Sequence, residues 1–167
     1  MGKVRGFEIV SEEHRKNFDL IDTKKGKVKD FDQITLPARA DERSAGYDFY
    51  MPYTIIVPPR ESIVVWLDVK CYMKPFEVLN VYIRSSLAIK KGLVLRNQVG
   101  IVDSSYYNNP DNDGNIAVCI ENTTGQGVEL NAGDRIAQGV FMQYLQADDE
   151  VTLDRERKGG IGSSGEQ

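Results

Sequence analysis

The sequence predicts an all-β domain, a sandwich or barrel interrupted by one short helix. Three observations predict it. Short runs rich in Val, Ile and Tyr recur between residues 36 and 145, broken by Gly, Pro, Asn and Asp. Helical punctuation is convincing in that stretch at a single place, residues 85–92. A chain of 167 residues is one domain by length and can bury a core without disulfide or metal staples.

Three zones follow from composition. Residues 1–35 are polar and charged, an N-terminal extension packed on or flanking the core. They hold one candidate helix, from Ser11 to about Leu20, ended by Lys24-Lys25-Gly26. Residues 36–145 form the β core. Its strands are expected at 54–57, stopped by Pro58-Pro59, and then at 62–69, 78–83, 93–95, 100–102, 115–120 and 135–141. The helix at 85–92 has Ser85 as its N-cap, Lys90 and Lys91 in the last turn and Gly92 at the stop. Two strands meeting around Asn97-Gln98 read as a hairpin. Asn109-Pro-Asp-Asn-Asp-Gly114 opens like a calcium loop. It runs into a strand, with Ile120 where a Glu is required, so it reads as an acidic hairpin loop. Residues 146–167 make an acidic stretch, a basic cluster and a flexible Gly-rich C-terminal arm.

Charge and composition exclude several classes. A net charge of −4 and a pI near 5.1 lack the basic footprint of a nucleic-acid binder. No apolar run can span a membrane, and the charged N-terminus is no signal peptide, so the expectation is a soluble, cytoplasmic protein. Cys71 and Cys119 lie in apolar runs and read as buried thiols. His14 is the single histidine, with no nucleophile-histidine pattern and no zinc spacing around it.

Chemistry concentrates at the ends of β runs. Asp48 follows a tight glycine turn and could reach a metal or a metal-bound water. Arg84, Ser85 and Ser86 put a guanidinium, hydroxyls and free N–H groups at a helix start, a combination suited to phosphate. Asn97 and the backbone around Gly100 could pair with a nucleobase edge. Asp103 closes an apolar triplet, where a carboxylate could take a proton from water, and Tyr106 could stack on a sugar or cover the core edge. Gln138 adds an amide within Asp134-Arg-Ile-Ala-Gln138. Arg157-Lys-Gly-Gly160-Ile161-Gly162-Ser163 could wrap phosphates without being a Walker A loop.

In chain order, Ala45-Gly-Tyr-Asp48, Arg84-Ser-Ser-Leu-Ala88, Gly100-Ile-Val-Asp103-Ser-Ser-Tyr106, Gly133-Asp-Arg-Ile-Ala-Gln138 and Gly159-Gly-Ile-Gly-Ser-Ser-Gly165 resemble the five motifs of the homotrimeric dUTPases. The resemblance covers roughly residues 36–165. It implies a jelly-roll-like β-barrel subunit and a homotrimer, with each active site drawn from all three chains. It also implies hydrolysis of dUTP to dUMP and pyrophosphate with Mg2+, which limits uracil in DNA and supplies dUMP for dTMP synthesis. Asp103 would activate the water. Gln138, Arg84, Ser85 and Ser86 would hold phosphates and that water. Asn97, with the backbone to Gly100, would read uracil, and Tyr106 would pack under deoxyribose and exclude a 2′-hydroxyl. Asp48 would touch magnesium through water, and Arg135 would pair with a nearby carboxylate. Arg157, with Arg155 the alternative, would join Gly160, Ile161, Gly162 and Ser163 in the closing arm.

The chain departs from the family pattern at several points. Ile83 precedes Arg84 where Gly or Pro is usual. Residues 109–113 are inserted, and Ile161 replaces an aromatic that would lie over uracil. The alternatives are a dCTP deaminase of the same fold and a phage-type dUTPase that also binds a regulatory protein, through residues 1–35 or 109–113. A non-enzymatic jelly-roll structural protein ranks last. The deaminase would need Arg at Ile89 and a Glu between 116 and 120, which this chain lacks.

Overall fold

A computed structural model describes residues 2–17 and 34–149. The described chain is built from antiparallel strands and one short α-helix. The strands are β1 Gly6–Ile9, β2 Tyr47–Tyr50, β3 Ile55–Val57, β4 Ser62–Trp66, β5 Val69–Tyr72, β6 Glu77–Ile83, β7 Leu93–Leu95, β8 Gly100–Asp103, β9 Ala117–Asn122, β10 Val128–Leu130 and β11 Arg135–Gln143. The helix, α1, spans Ser85–Lys91. A four-stranded sheet has the order β2-β11-β6-β8, and a three-stranded sheet the order β4-β9-β7. Two ribbons, β1-β5 and β10-β3, complete the wall. Inward side chains such as Phe49, Met51, Leu79, Leu93, Ile120 and Ile136 fill one core, each under 2 % exposed. This jelly-roll-like, all-β architecture is the one expected.

Period-2 alternation explains the sheet faces. Along β6, Leu79 and Val81 are buried while Asn80 and Tyr82 are only partly covered. Helix α1 ends at Gly92, whose left-handed φ of 63° lets its N–H donate to the Leu87 carbonyl. Its N-cap is Arg84, not Ser85, because Ser85 already has helical geometry and no side chain caps the start.

Several expectations are corrected. The helix from Ser11 reduces, within the described residues, to a 3-10 turn at Glu12–His14, and Arg15 is extended at φ −72°, ψ 127°. Residues 18–20 of that expected helix lie outside the described residues. The run 62–69 is two elements, broken where Asp68 takes φ 54°. The Asn97-Gln98 turn closes no hairpin. It is a corner between sheets, since β7 pairs with β9 and β8 pairs with β6. Residues 109–113 are likewise no hairpin loop, because β8 and β9 lie in different sheets.

The N-terminal strand is a member of the wall. β1 pairs with β5 from Gly6↔Tyr72 to Ile9↔Val69. Phe7 meets the rings of Tyr47, Phe49 and Phe141 at 5.3–5.6 Å, and Val10 is buried. Arg5 donates through Nε and Nη2 to the Glu77 carboxylate.

Candidate active site

Two groups of site residues are carried by one sheet and its flanks, and Asp48, Gln138 and Asp103 share its outer face. The first gathers where β2, β11 and the start of α1 meet. Asp48 stands directly across from Gln138 in the β2–β11 register, and Gln138 stands across from Tyr82 on β6. A β-bulge between Arg135 and Ala137 places two consecutive buried residues, Ile136 and Ala137, toward the core. Arg135 and Gln138 are three positions apart. The bulge brings both to the outer face, where strict alternation would have separated them.

Asp48 is the hub of this group. Its Oδ2 accepts from Arg84 Nη1 at 3.2 Å and from Arg135 Nη1 at 3.1 Å. The carboxylate is 8 % exposed, dry enough for these charge-assisted bonds to be strong. Two guanidinium groups against one carboxylate leave one net positive charge, which suits an incoming polyanion. Arg84 is anchored by its own N–H, which donates to the Ile136 carbonyl at 3.2 Å. Ser85 and Ser86 follow it and are exposed. Gly46 lies beneath Gln138, and a Cβ there would meet Gln138 Oε1 at 2.8 Å. That contact was missed from sequence. The signal available was the glycine itself, two residues before Asp48.

The second group lies on β8 and its flanks. Asp103 ends β8, opposite Val78, and is partly covered. Asn97 is exposed in the corner turn, where Gln98 takes φ 62° and its N–H donates to the Leu95 carbonyl at 2.8 Å. Gly100 pairs with Val81, and a Cβ there would sit 3.3 Å from Val81 Cβ. Tyr106 follows in a 3-10 turn at Ser104–Tyr106 and is 7 % exposed. Its hydroxyl donates to the Asn115 carbonyl at 2.9 Å.

The two groups do not meet within one chain. From Gln138, opposite Tyr82, to Asp103, opposite Val78, is four residues along β6 and two strand spacings across. That is roughly 13 Å by 10 Å, or about 16 Å in all. Arg155, Arg157, Gly160, Ile161, Gly162 and Ser163 lie outside the described residues. The His14 ring makes local contacts, its Nδ1 lying 2.8 Å from Ser11 Oγ and 3.6 Å from the Glu13 carboxylate.

The family model described as dUTPase matches residues 32–165. The deoxyuridine 5′-triphosphate nucleotidohydrolase of Lactococcus lactis is 43% identical over 164 residues, covering 98% of this chain and 99% of that one. A crystal structure of the Streptococcus mutans dUTPase superposes with a TM-score of 0.70 at 38% identity, over 86% of this chain and 98% of that one. The fold is shared with a dUTPase of Staphylococcus aureus phage phi11, at a TM-score of 0.63 and 19% identity, over 93% of this chain and 100% of that one. A family match over most of the chain, with so close a relative along nearly its whole length, leaves one assignment: the chain belongs to the dUTPase family.

Proposed function

We propose that this chain hydrolyses dUTP to dUMP and pyrophosphate at sites assembled between the protomers of a homotrimer. One observation carries the shared site. Asp103 and Gln138 are roughly 16 Å apart in one chain, too far to act on one water and one phosphate, yet both face outward from the same sheet. A neighbouring protomer must bring the second group to the first. Apolar side chains on that face support such a contact. Ile101 is 65% and Met142 47% exposed, and both share the face with Asp103 and Gln138.

Each residue has a role in this reading. Arg84, Ser85 and Ser86 hold phosphate oxygens, and the Gln138 amide orients the attacking water. Asp103 of another protomer takes that water's proton as its oxygen attacks the α-phosphorus, and pyrophosphate leaves. Asn97 and the corner backbone to Gly100 read the uracil edge, where cytosine would leave buried donors and acceptors mismatched. The edge of Tyr106 left open by the core packs under deoxyribose. Arg157, Gly160, Ile161, Gly162 and Ser163 close over the bound nucleotide. Residues 1–35, 36–145 and 146–167 then serve as extension, catalytic barrel and arm.

Magnesium fits as a passenger of the substrate. Among the described residues, no three His, Cys, Asp or Glu groups gather into a metal cage. Asp48 Oδ2 is taken by two guanidinium groups. An ion held by phosphates and waters, with Asp48 touching one of those waters, suits this donor set. Bound there, it would neutralise phosphate charge and favour departure of pyrophosphate. The phi11 phage relative is described as coordinating a structural Mg(II) ion.

No helix among the described residues is long and apolar enough to cross a membrane, and we place this nucleotide hydrolase in the cytoplasm. A dUTPase of Staphylococcus bacteriophage 80alpha is described as controlling transfer of virulence genes. A regulatory protein partner is therefore a second role to test here, by asking whether Asp103→Asn keeps a cellular effect.

Subunit mixing tests the shared site. Asp103→Asn homotrimers are expected to be inactive, and Gln138→Ala homotrimers to keep only a small residual rate. After co-refolding in equal amounts, about a quarter of the sites should join two intact groups and release pyrophosphate from dUTP. Mixed trimers without activity would refute assembly between chains.

A further inference from the structure

The inserted residues 109–113 look, by composition, like a solvated acidic loop. Their structure is different. Asn109 is 3 %, Asn112 5 % and Asn115 0 % exposed. Asn109 Oδ1 accepts from the Asp111 N–H at 3.0 Å, and Asn112 Oδ1 from the Gly114 N–H at 3.0 Å. These side chains thus replace a sheet ladder in holding the backbone. Gly114 has φ 77°, and a Cβ there would lie 2.6 Å from the Tyr106 carbonyl oxygen, so the loop is stacked on the Tyr106 backbone.

The tip of the Tyr106 ring is held from the same loop. Asn112 Nδ2 donates to the Tyr106 hydroxyl at 2.7 Å, and that hydroxyl donates to the Asn115 carbonyl at 2.9 Å. Outer ties fix the loop in turn. Asp113 accepts from the Ser11 N–H at 2.7 Å and from Lys70 Nζ at 2.8 Å. Asn115 Nδ2 donates to Asp68 Oδ1 at 2.9 Å and to the His14 carbonyl at 3.2 Å. The ring is therefore fixed at both ends, by the turn at Ser104–Tyr106 and by its bonded hydroxyl.

We infer that Asn112 is a positioning residue that locks the Tyr106 ring, so that the ring cannot yield to a ribose 2′-hydroxyl. The inference rests on the reading that Tyr106 packs under the sugar. Rejecting one added hydroxyl is a steric task, and it fails when the wall can tilt. The N-terminal segment and the inserted loop then act together as a brace for sugar selection.

The measurement is kcat/KM for dUTP and for UTP, with near-UV circular dichroism confirming the fold of each variant. Asn112→Ala should lower the dUTP-to-UTP ratio about fivefold, the effect of losing one ordinary hydrogen bond, by raising activity on UTP. General damage would lower both activities alike. Asn112→Ser keeps a short acceptor for the Gly114 N–H but cannot reach the phenol, and should behave the same way. Tyr106→Phe, which also loses the bond to the Asn115 carbonyl, should lower the ratio at least as far, and adding Asn112→Ser to Tyr106→Phe should change the ratio no further. A wild-type ratio in folded Asn112 variants, or losses that multiply in the double variant, would overturn the inference. Tyr106→Ala is the separate control: if it preserves the ratio, the sugar reading itself is wrong.

Discussion

Gly46→Ala tests whether Gln138 belongs to the reacting centre, and the structure sets its size. The new methyl would stand 2.8 Å from Gln138 Oε1 and 3.3 Å from its Cβ, whereas ordinary contact begins at 3.4 Å. The amide tip must therefore move by about 0.6 Å or more. Misplacement of about 1 Å in a reacting constellation can lower a rate a hundredfold, so a loss of roughly tenfold or more in kcat is expected. Stability should change little. The atom displaced is the end of a flexible side chain, and replacing Gly by Ala lowers unfolded-state entropy by an amount worth about 0.4–1 kcal/mol. Pyrophosphate release gives kcat, and urea unfolding gives stability. In a Gln138→Ala background the clash with Oε1 is gone, and Gly46→Ala should then leave the residual rate nearly unchanged. Full-rate turnover by Gly46→Ala, or an equal slowing of Gln138→Ala, would refute the placement of Gln138 over Gly46 as functional.

Further outcomes follow from named contacts. Asp103→Asn should abolish turnover while titration calorimetry still detects nucleotide binding. Deleting residues from Arg155 onward should reduce kcat far more than it shifts the urea midpoint. Hydrogen bonding from Arg5 holds the Glu77 carboxyl below its usual 4.5. Burial works against the Asp113 charge, but Lys70 and the Ser11 N–H still bring that carboxyl below 3.8. Both folded values are depressed, so their stabilisation is present above the unfolded values and is lost as pH falls through the folded ones. Protection factors of the β1 amides should fall below about pH 4.5 in the wild type, and in Arg5→Ala they should already be lower at pH 7. Burial pushes the Cys71 thiol up to about 12. Alkylation at pH 8, read by mass spectrometry, should spare Cys71 until the protein unfolds.

What sequence could reveal was local. Runs such as 78–83, 93–95 and 135–141 carry their own strand signal in β-branched and aromatic residues, and Gly92 announces the end of α1. Pairing was not local. Asn97-Gln98 has the look of a hairpin turn, but the strands on either side find partners in different sheets. β1 is a four-residue strand among charges, and it is fixed by ring contacts from Phe7 to Tyr47, Phe49 and Phe141. Such contacts leave no periodic trace. Asn109 and Asn112 read as loop surface and Asn115 as the start of a strand, yet their amides are spent in a buried network that only the tertiary structure defines. At the site, a carboxylate partner for Arg135 was legible, but its sharing with Arg84 on one Asp48 oxygen was not.

The bulge in β11 shows how the sheet sets the reach of its chemistry. Ile136 and Ala137 both turn inward, and that irregularity alone puts Arg135 and Gln138 beside Asp48 on one face. A regular strand would send one of them into the core, where neither a guanidinium nor an amide has a partner. The same register carries Asp103 to the far edge of the sheet, opposite Val78. Gln138 and Asp103, proposed to hold the attacking water and to deprotonate it, are thus fixed on strands at a separation that no side-chain rotation closes. In the proposed reading a protomer would contribute Asp103 to one site and Gln138 to another, so catalysis would be coupled to assembly. Turnover per chain should then fall on dilution below the trimer dissociation constant, in proportion to the trimer remaining, while the β-sheet circular dichroism signal persists.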